Sequence, residues 1–289
     1  MNDAEALRPK LNFKIDFTKL KAVAELGVMR ASVFMGLGTN AAMVSPPISH
    51  VLSDNVQFHF VPSDPSDETK RHYVDEFESW TIGNCLRDLA DNFSMFLTEA
   101  FFIHRILQTM TYSEIEDLKA KRKFEKLNVG AQYKVLAPDL QLDPDLGEMF
   151  ETFRLARNCL SHRMGNVTSE DAPSGELRIR WCLIGVSVVG DDGQNLLMDN
   201  ATMGTDQSFV ARGGAVRIGM HWKERAFPVG TAIRLSRHEL SEMCMGVTLV
   251  AEHVVQKLVD YTKAKGVPVN VLEPIDRSEE PFAEGPEPG

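Results

Sequence analysis

The sequence predicts an α+β protein: a helical bundle, a small antiparallel β-sheet appended to it, and a last helix that packs back on the bundle. Three patterns carry this. Between Thr69 and Met110, apolar residues recur at helical spacing with no proline to interrupt them. From Leu177 onward the pattern changes to alternation, Leu177-Arg178-Ile179-Arg180-Trp181, as a half-buried strand requires. From Ser236 the helical period returns through Leu240, Met243, Val247, Val250, Val254, Leu258 and Tyr261, until Gly266 and Pro268 stop it.

Residues 1–68 form an N-terminal segment. Its first fifteen residues are polar, and Asp16 to Met35 carries the spacing of a short helix. The next residues, Gly36-Leu37-Gly38-Thr39-Asn40-Ala41, match the dinucleotide fingerprint in letters. That fingerprint needs a following helix to receive the pyrophosphate, and Pro46-Pro47 arrives too soon for one. The expectation is a plain glycine loop. Val56 to Val61 reads as a short strand.

Residues 69–168 form the bundle. The stripe of the first long helix runs through Phe77, Trp80, Leu86, Leu89, Phe93, Phe96, Leu97, Ala100, Phe101, His104 and Leu107. A helix of that length needs a neighbour along it, since its own hydrogen bonds give only marginal stability. His104 falls on the apolar side and reads as a core histidine. A second helix follows from Ser113 to about Leu136, broken near Gly130, with Ser113 and Glu116 at capping-box spacing. It contains the basic run Lys119 to Lys126. A solvated face is the first reading of that run, and a phosphate-contact patch through Lys121, Arg122 and Lys123 is the second. Pro138 and Asp139–Asp145 read as a loop before the next helix.

That next helix, Phe150 to Gly165, holds the candidate site. Phe153, Ala156, Leu160 and Met164 make its buried stripe, and Gly165-Asn166 its stop. Arg154, Asn158 and His162 follow at steps of four, flanked by Arg157 and Arg163. Five polar or cationic groups in ten residues is a high concentration for a chain of net charge -10.

Residues 169–235 are β-rich. Gly190 to Gly193 is a hairpin turn, and Asp191-Asp192 in it is turn chemistry rather than a catalytic pair. Leu196 to Met198, Ala215 to Trp222 and Ala232 to Leu235 read as further strands, with Gly204 to Gly214 a loop. The last helix takes 236–267, with Ser236 and Glu239 as its capping box. The acidic, proline-rich tail 268–289 reads as disordered.

Composition narrows the function. The chain has 289 residues, 43% apolar and 25% charged, as in ordinary globular proteins. No stretch is long enough for a membrane helix, and no signal-peptide pattern opens the chain, so a cytoplasmic protein without membrane contact is expected. The four cysteines never form C-x-x-C, which excludes a structural zinc of that type and fits reduced thiols. Walker A, H-E-x-x-H and G-x-S-x-G motifs are absent. No cofactor or metal is expected. An acidic protein can hold nucleic acid only through a local patch.

Arg157-Asn158-Cys159-Leu160-Ser161-His162 resembles the R-x4-6-H motif of the HEPN superfamily, in its R-N-x-x-x-H form. The long helix and the second helix that precede it resemble the family's order, over about Thr69 to Thr168. The acidic balance and the strand-containing addition depart from it. The resemblance implies a dimeric helical bundle that cleaves RNA without metal, in a stress or defence setting, with the 2'-OH as nucleophile. Arg157, Asn158 and His162 would be catalytic, and Arg154, Arg163 and the Lys121–Lys123 run would bind RNA. Histidine suits the proton transfer and an arginine fork suits the phosphoryl charge. Residues five apart on a helix point about 140° away from one another, so a homodimer would bring the groups of two copies together. A non-catalytic HEPN-like module that binds RNA or a regulatory protein is the other reading.

Overall fold

The computed structural model describes residues 15–43, 65–112, 114–190, 195–198 and 215–269. The order is α1 (Phe17–Met43), α2 (Asp67–Thr109), α3 (Glu114–Glu125), α4 (Val129–Leu140), α5 (Pro144–Arg163), β1 (Glu176–Val189), β2 (Asn195–Met198), β3 (Ala215–Pro228) and α6 (Arg237–Ala264). The fold class is α+β, as expected. The expected strand at Val56–Val61, the Ser113 cap, the Gly190–Gly193 turn as a whole, the Gly204–Gly214 loop and the tail lie outside the described residues.

One hydrophobic cluster joins the helices and the sheet. It runs from Leu20 and Ala24 of α1 through Phe93, Phe96 and Leu97 of α2 and Met149, Phe150 and Phe153 of α5. It continues into Ile179 and Trp181 of β1 and Met243 and Val250 of α6. Its centre is aromatic: the Phe93 and Phe150 rings stack at 4.1 Å, and Phe153 meets Phe150 edge-on. The last helix does pack on the bundle, against α1, α2 and β1.

α1 is longer than its sequence predicts. It continues without a break through Gly36 to Ala41, so the glycine loop is a helix. Packing explains the difference. A Cβ on Gly27 would lie 2.4 Å from Cβ of Asn92, and one on Gly38 would lie 2.5 Å from a methyl of Thr81. Each glycine costs the helix about 1 kcal/mol relative to alanine. Their bareness lets α1 press on α2, and the burial of Ala31 and Met35 offsets that cost.

Three other boundaries shift. The second helix divides at Leu127-Asn128, where Asn128 caps α4 by accepting from the backbone N–H of Ala131 at 2.9 Å. Pro138 lies within the last turns of α4, not in a loop, because Leu136 and Leu140 on either side of it are buried. Ala232 to Leu235 is not a sheet strand: its one ladder contact is an isolated bridge between Ala232 and Asn166. Ile233 N–H donates to Gly165 O at 2.8 Å, so this segment straps down the exit from α5.

The sheet is three-stranded and antiparallel, in the order β2-β1-β3. β1 and β3 pair along their full length, from Glu176 opposite Pro228 to Val189 opposite Ala215. α6 starts on the expected capping box, with Ser236 accepting from Glu239 N–H and the Glu239 carboxylate accepting from Ser236 N–H at 2.7 Å.

Candidate functional site

α5 begins on Asp143, which accepts from Asp145 N–H at 3.0 Å, with Pro144 in the first turn. It ends on Met164 in the left-handed region (φ 51°), followed by Gly165 at φ 82°. Both of their N–H groups turn back to Cys159 O, which satisfies a carbonyl the helix would otherwise leave open. Met149, Phe150, Phe153, Ala156 and Cys159 face the core and are fully buried. Met164 belongs to the expected stripe but is 90% exposed, because the helix has already ended there.

The polar side of α5 is half-buried to exposed. Arg157 reaches across to α2, its guanidinium 3.4 Å from the Asp91 carboxylate, and also donates to Asn158 Oδ1 at 3.4 Å. Its Nε is buried without a hydrogen-bond partner among the described residues. Asn158 therefore steadies the arginine one residue before it. His162 is exposed on the last turn and has no hydrogen bond or ion pair among the described residues. As a cation it would be favoured at this helix C-terminus.

Two of the expected RNA-binding arginines are engaged by their own chain. Arg154 donates to Glu151, with Nε 2.9 Å from its carboxylate. Arg163 donates to Glu170 and, at 2.8 Å, to Asp171. Asp171 is buried and also accepts from Thr168 N–H and Oγ1, at 3.0 Å each. Arg163 thus anchors the turn that follows α5, a structural duty its position in the motif does not announce. In the basic run, Lys121 donates to Glu99 of α2 at 2.7 Å and lies over the Phe102 ring. Arg122 and Lys123 are exposed.

A single chain does not gather the motif at one point. Arg154 and Arg157 line a cavity of about 290 Å³ together with Asp91, Ser94 and the α3–α4 turn. Leu160, Ser161 and Met164 line a second cavity of about 590 Å³ with Trp80, Asn84 and Arg87 of α2. His162 borders neither.

The stripe assignment on α2 needs one correction. Phe77 and Trp80 are 41% and 65% exposed, because burial along α2 begins only at Thr81. Helical spacing aligned them with the core stripe, and only the surrounding helices decide where that stripe is covered. Asp91, Asn84 and Arg87 were likewise missed as neighbours of the motif, since they reach it only across the α2–α5 contact.

His104 is the core histidine expected. It is buried with its ring 4.8 Å from that of Tyr261. Burial holds its pKa below the ordinary histidine value, against the pull of Asp139 and with a push from Lys265. All four cysteines are buried and free, with burial pushing their thiols up to about 11, and to about 12 for Cys244. They are not poised as nucleophiles. Among the described residues no cluster of three or more His, Cys, Asp or Glu is arranged around a common point. No described helix is long and apolar enough to cross a membrane.

No family model, no curated protein and no solved structure matches this chain.

Proposed function

We propose that the protein is a metal-independent endoribonuclease of HEPN type, acting at a composite site made by two copies. The observation that carries the reading is His162, exposed at the end of a firmly packed helix and free of partners among the described residues. A structural histidine of a helix C-terminus would be expected to touch the chain it supports. Arg157 supplies the cation beside it in sequence, oriented by Asn158.

The reaction follows from the groups. A ribose 2'-OH loses its proton to His162 as its oxygen attacks the adjacent phosphorus. The bond to the 5'-oxygen breaks, leaving a 2',3'-cyclic phosphate, and the departing oxygen takes a proton from the histidine of the second copy. The Arg157 guanidinium stabilises charge on the phosphoryl oxygens. Two copies are required because Arg157 and His162 point about 140° apart on one helix. RNA is the substrate because DNA has no 2'-OH.

The test is cleavage of RNA in EDTA by wild type, Arg157→Ala and His162→Ala. Wild-type cleavage that spares DNA and is lost in both variants supports the reading. Equal activity in all three sinks it.

A second reading rests on a different observation: Arg154, Arg157 and Arg163 each face a carboxylate of their own chain. A non-catalytic HEPN-like module that binds RNA or a regulatory protein needs no free cation there. Wild type that binds RNA in EDTA without cutting it would decide for this module.

A further inference from the structure

α2 and α5 run antiparallel past each other, and both cavities beside the motif open along their seam. Asp91 and Ser94 of α2 face Arg154 and Arg157 at one level. One to two turns back along α2, Asn84 and Arg87 face Leu160 and Ser161. Gly83 sets the floor, since a Cβ there would lie 2.9 Å from Leu160. From Trp80 to Asp91 the seam is about 16 Å long at 1.5 Å per residue.

The rim keeps one cation in excess where the protein as a whole is acidic, with net charge -10. The larger cavity carries Arg87 and Arg234 against Glu76, and the smaller carries Lys126, Arg154 and Arg157 against Asp91 and Glu125, with Glu151 bound to Arg154 beside it. The excess cation is Arg87, in the larger cavity. Arg87 is exposed and has no ion pair or hydrogen bond among the described residues.

The seam also ends on unused aromatic surface. Tyr73, Phe77 and Trp80 follow at steps of four and three on α2 and are 47%, 41% and 65% exposed. The Phe77 and Trp80 rings lie near-parallel, 22° apart, at 6.0 Å. Two of the carboxylates beside them are neutralised, Glu76 by Arg234 and Glu78 by Arg237 at 2.7 Å, while Asp75 stays exposed. The hydrogen bond from Arg234 holds Glu76 below the ordinary carboxylate pKa. Asn84 donates to the Trp80 backbone carbonyl at 2.7 Å.

Building on the RNA reading above, we propose that the α2–α5 groove is a track for unpaired RNA, in which Trp80 stacks a base and Arg87 meets a phosphate. Stacking on an exposed ring needs a base splayed out of its helix, which single strands offer and duplexes do not. A stacked base is tolerated whatever its identity, so the groove selects for single-strandedness rather than sequence. The track leads from the aromatic stripe to Arg157, and so delivers a strand to the motif helix.

The test uses the full chain carrying His162→Ala, in EDTA, so that no probe is consumed. An oligouridylate and a matched RNA duplex are titrated while tryptophan emission is followed. Trp181 is buried and Trp222 lies under the Arg180 guanidinium at 4.0 Å, so quenching reports mainly on Trp80. The single strand should quench the emission and bind more tightly than the duplex. Read by the anisotropy of an end-labelled strand, since these variants lack the reporting tryptophan, adding Trp80→Ala should weaken single-strand binding roughly five- to a hundredfold, and Trp80→Phe should keep most of it. Arg87→Ala, a second exposed change, should weaken binding and lower the slope of log affinity against log salt by about one.

Single-strand binding untouched by both Trp80→Ala and Arg87→Ala would overturn the track. So would equal binding of duplex, or loss of self-association in Trp80→Ala with RNA affinity unchanged, which would assign the stripe to a second copy of the chain. Cleavage is read separately: loss of the track leaves the cleavage results of Arg157→Ala and His162→Ala to stand or fall on their own.

Discussion

The inner and outer faces of α5 are made of the same twenty residues and obey different rules. On the inner face Met149, Phe150, Phe153, Ala156 and Cys159 are sealed among α2, α4 and β1, in packing that is mainly apolar and aromatic. On the outer face Arg154, Arg157, Asn158 and His162 keep contact with water, and their partners among the described residues sit at 2.5 to 3.4 Å or are absent. The inner face fixes where the helix lies. The outer face adds little stability, since exposed ion pairs contribute at most about 1 kcal/mol. Residues there are free to be chosen for chemistry.

The largest effect should come from the inner face. Phe150→Ala removes a ring stacked on Phe93 and should cost about 3–5 kcal/mol in chemical denaturation. A loss below about 1 kcal/mol would break the contrast, because the core would then be able to collapse around the gap. Thr152 is the next rung. Its hydroxyl accepts from Arg180 N–H at 3.1 Å and donates to Met149 O at 2.7 Å, joining α5 to β1. Thr152→Val leaves that N–H unpaired and should cost about 1–3 kcal/mol by the same measurement.

Two histidines sharpen the comparison through pH. His104 has its folded pKa depressed by burial, so the unfolded state binds the proton more readily just below the ordinary histidine pKa of about 6.5. Its contribution is full above that value and is lost as pH falls through it toward the folded pKa. Half-buried His253 is depressed in the same direction, by burial and then Lys257, against Asp143. Urea midpoints between pH 7.5 and 5.5 should therefore fall less steeply in His104→Gln than in wild type. Parallel slopes would show that His104 does not sense the core.

The smallest stability effects belong outside. His162→Ala should leave the unfolding free energy within about 0.5 kcal/mol of wild type, as for a surface change with no partner. Asp91→Asn should change stability as little, yet it removes the carboxylate facing Arg157 and should tighten RNA binding in EDTA. Unchanged binding would mean that Arg157 serves the α2–α5 contact and not a phosphate.

Much of the architecture was legible because it rests on periodicity and local caps. α2, β1 and α6 lie where their apolar spacing places them, and the Ser236–Glu239 box is a local device that needs no tertiary partner. The misses are those where packing overrides local preference. Gly36 and Gly38 look like loop residues, but α1 runs on through both and uses the bareness of Gly38 to approach α2; Pro138 looks like a stop, but its buried neighbours hold the turn.

The candidate site divides in the same way. That Arg154, Arg157, Asn158 and His162 share the outer part of one helix follows from the sequence, because the helical period alone sets it. That Arg157 faces Asp91, that Arg163 is tied to Glu170 and Asp171, and that Trp80 stands in the open beside Ser161 does not. The first and the last depend on how α2 crosses α5, a contact between residues 66 to 81 positions apart, and the Arg163 ties depend on how the turn after α5 folds back. The sequence by itself determined which groups are presented and on which helix. Only the tertiary structure decided what they meet, because the side-chain neighbours of an exposed helix face come from other elements and carry no local signal.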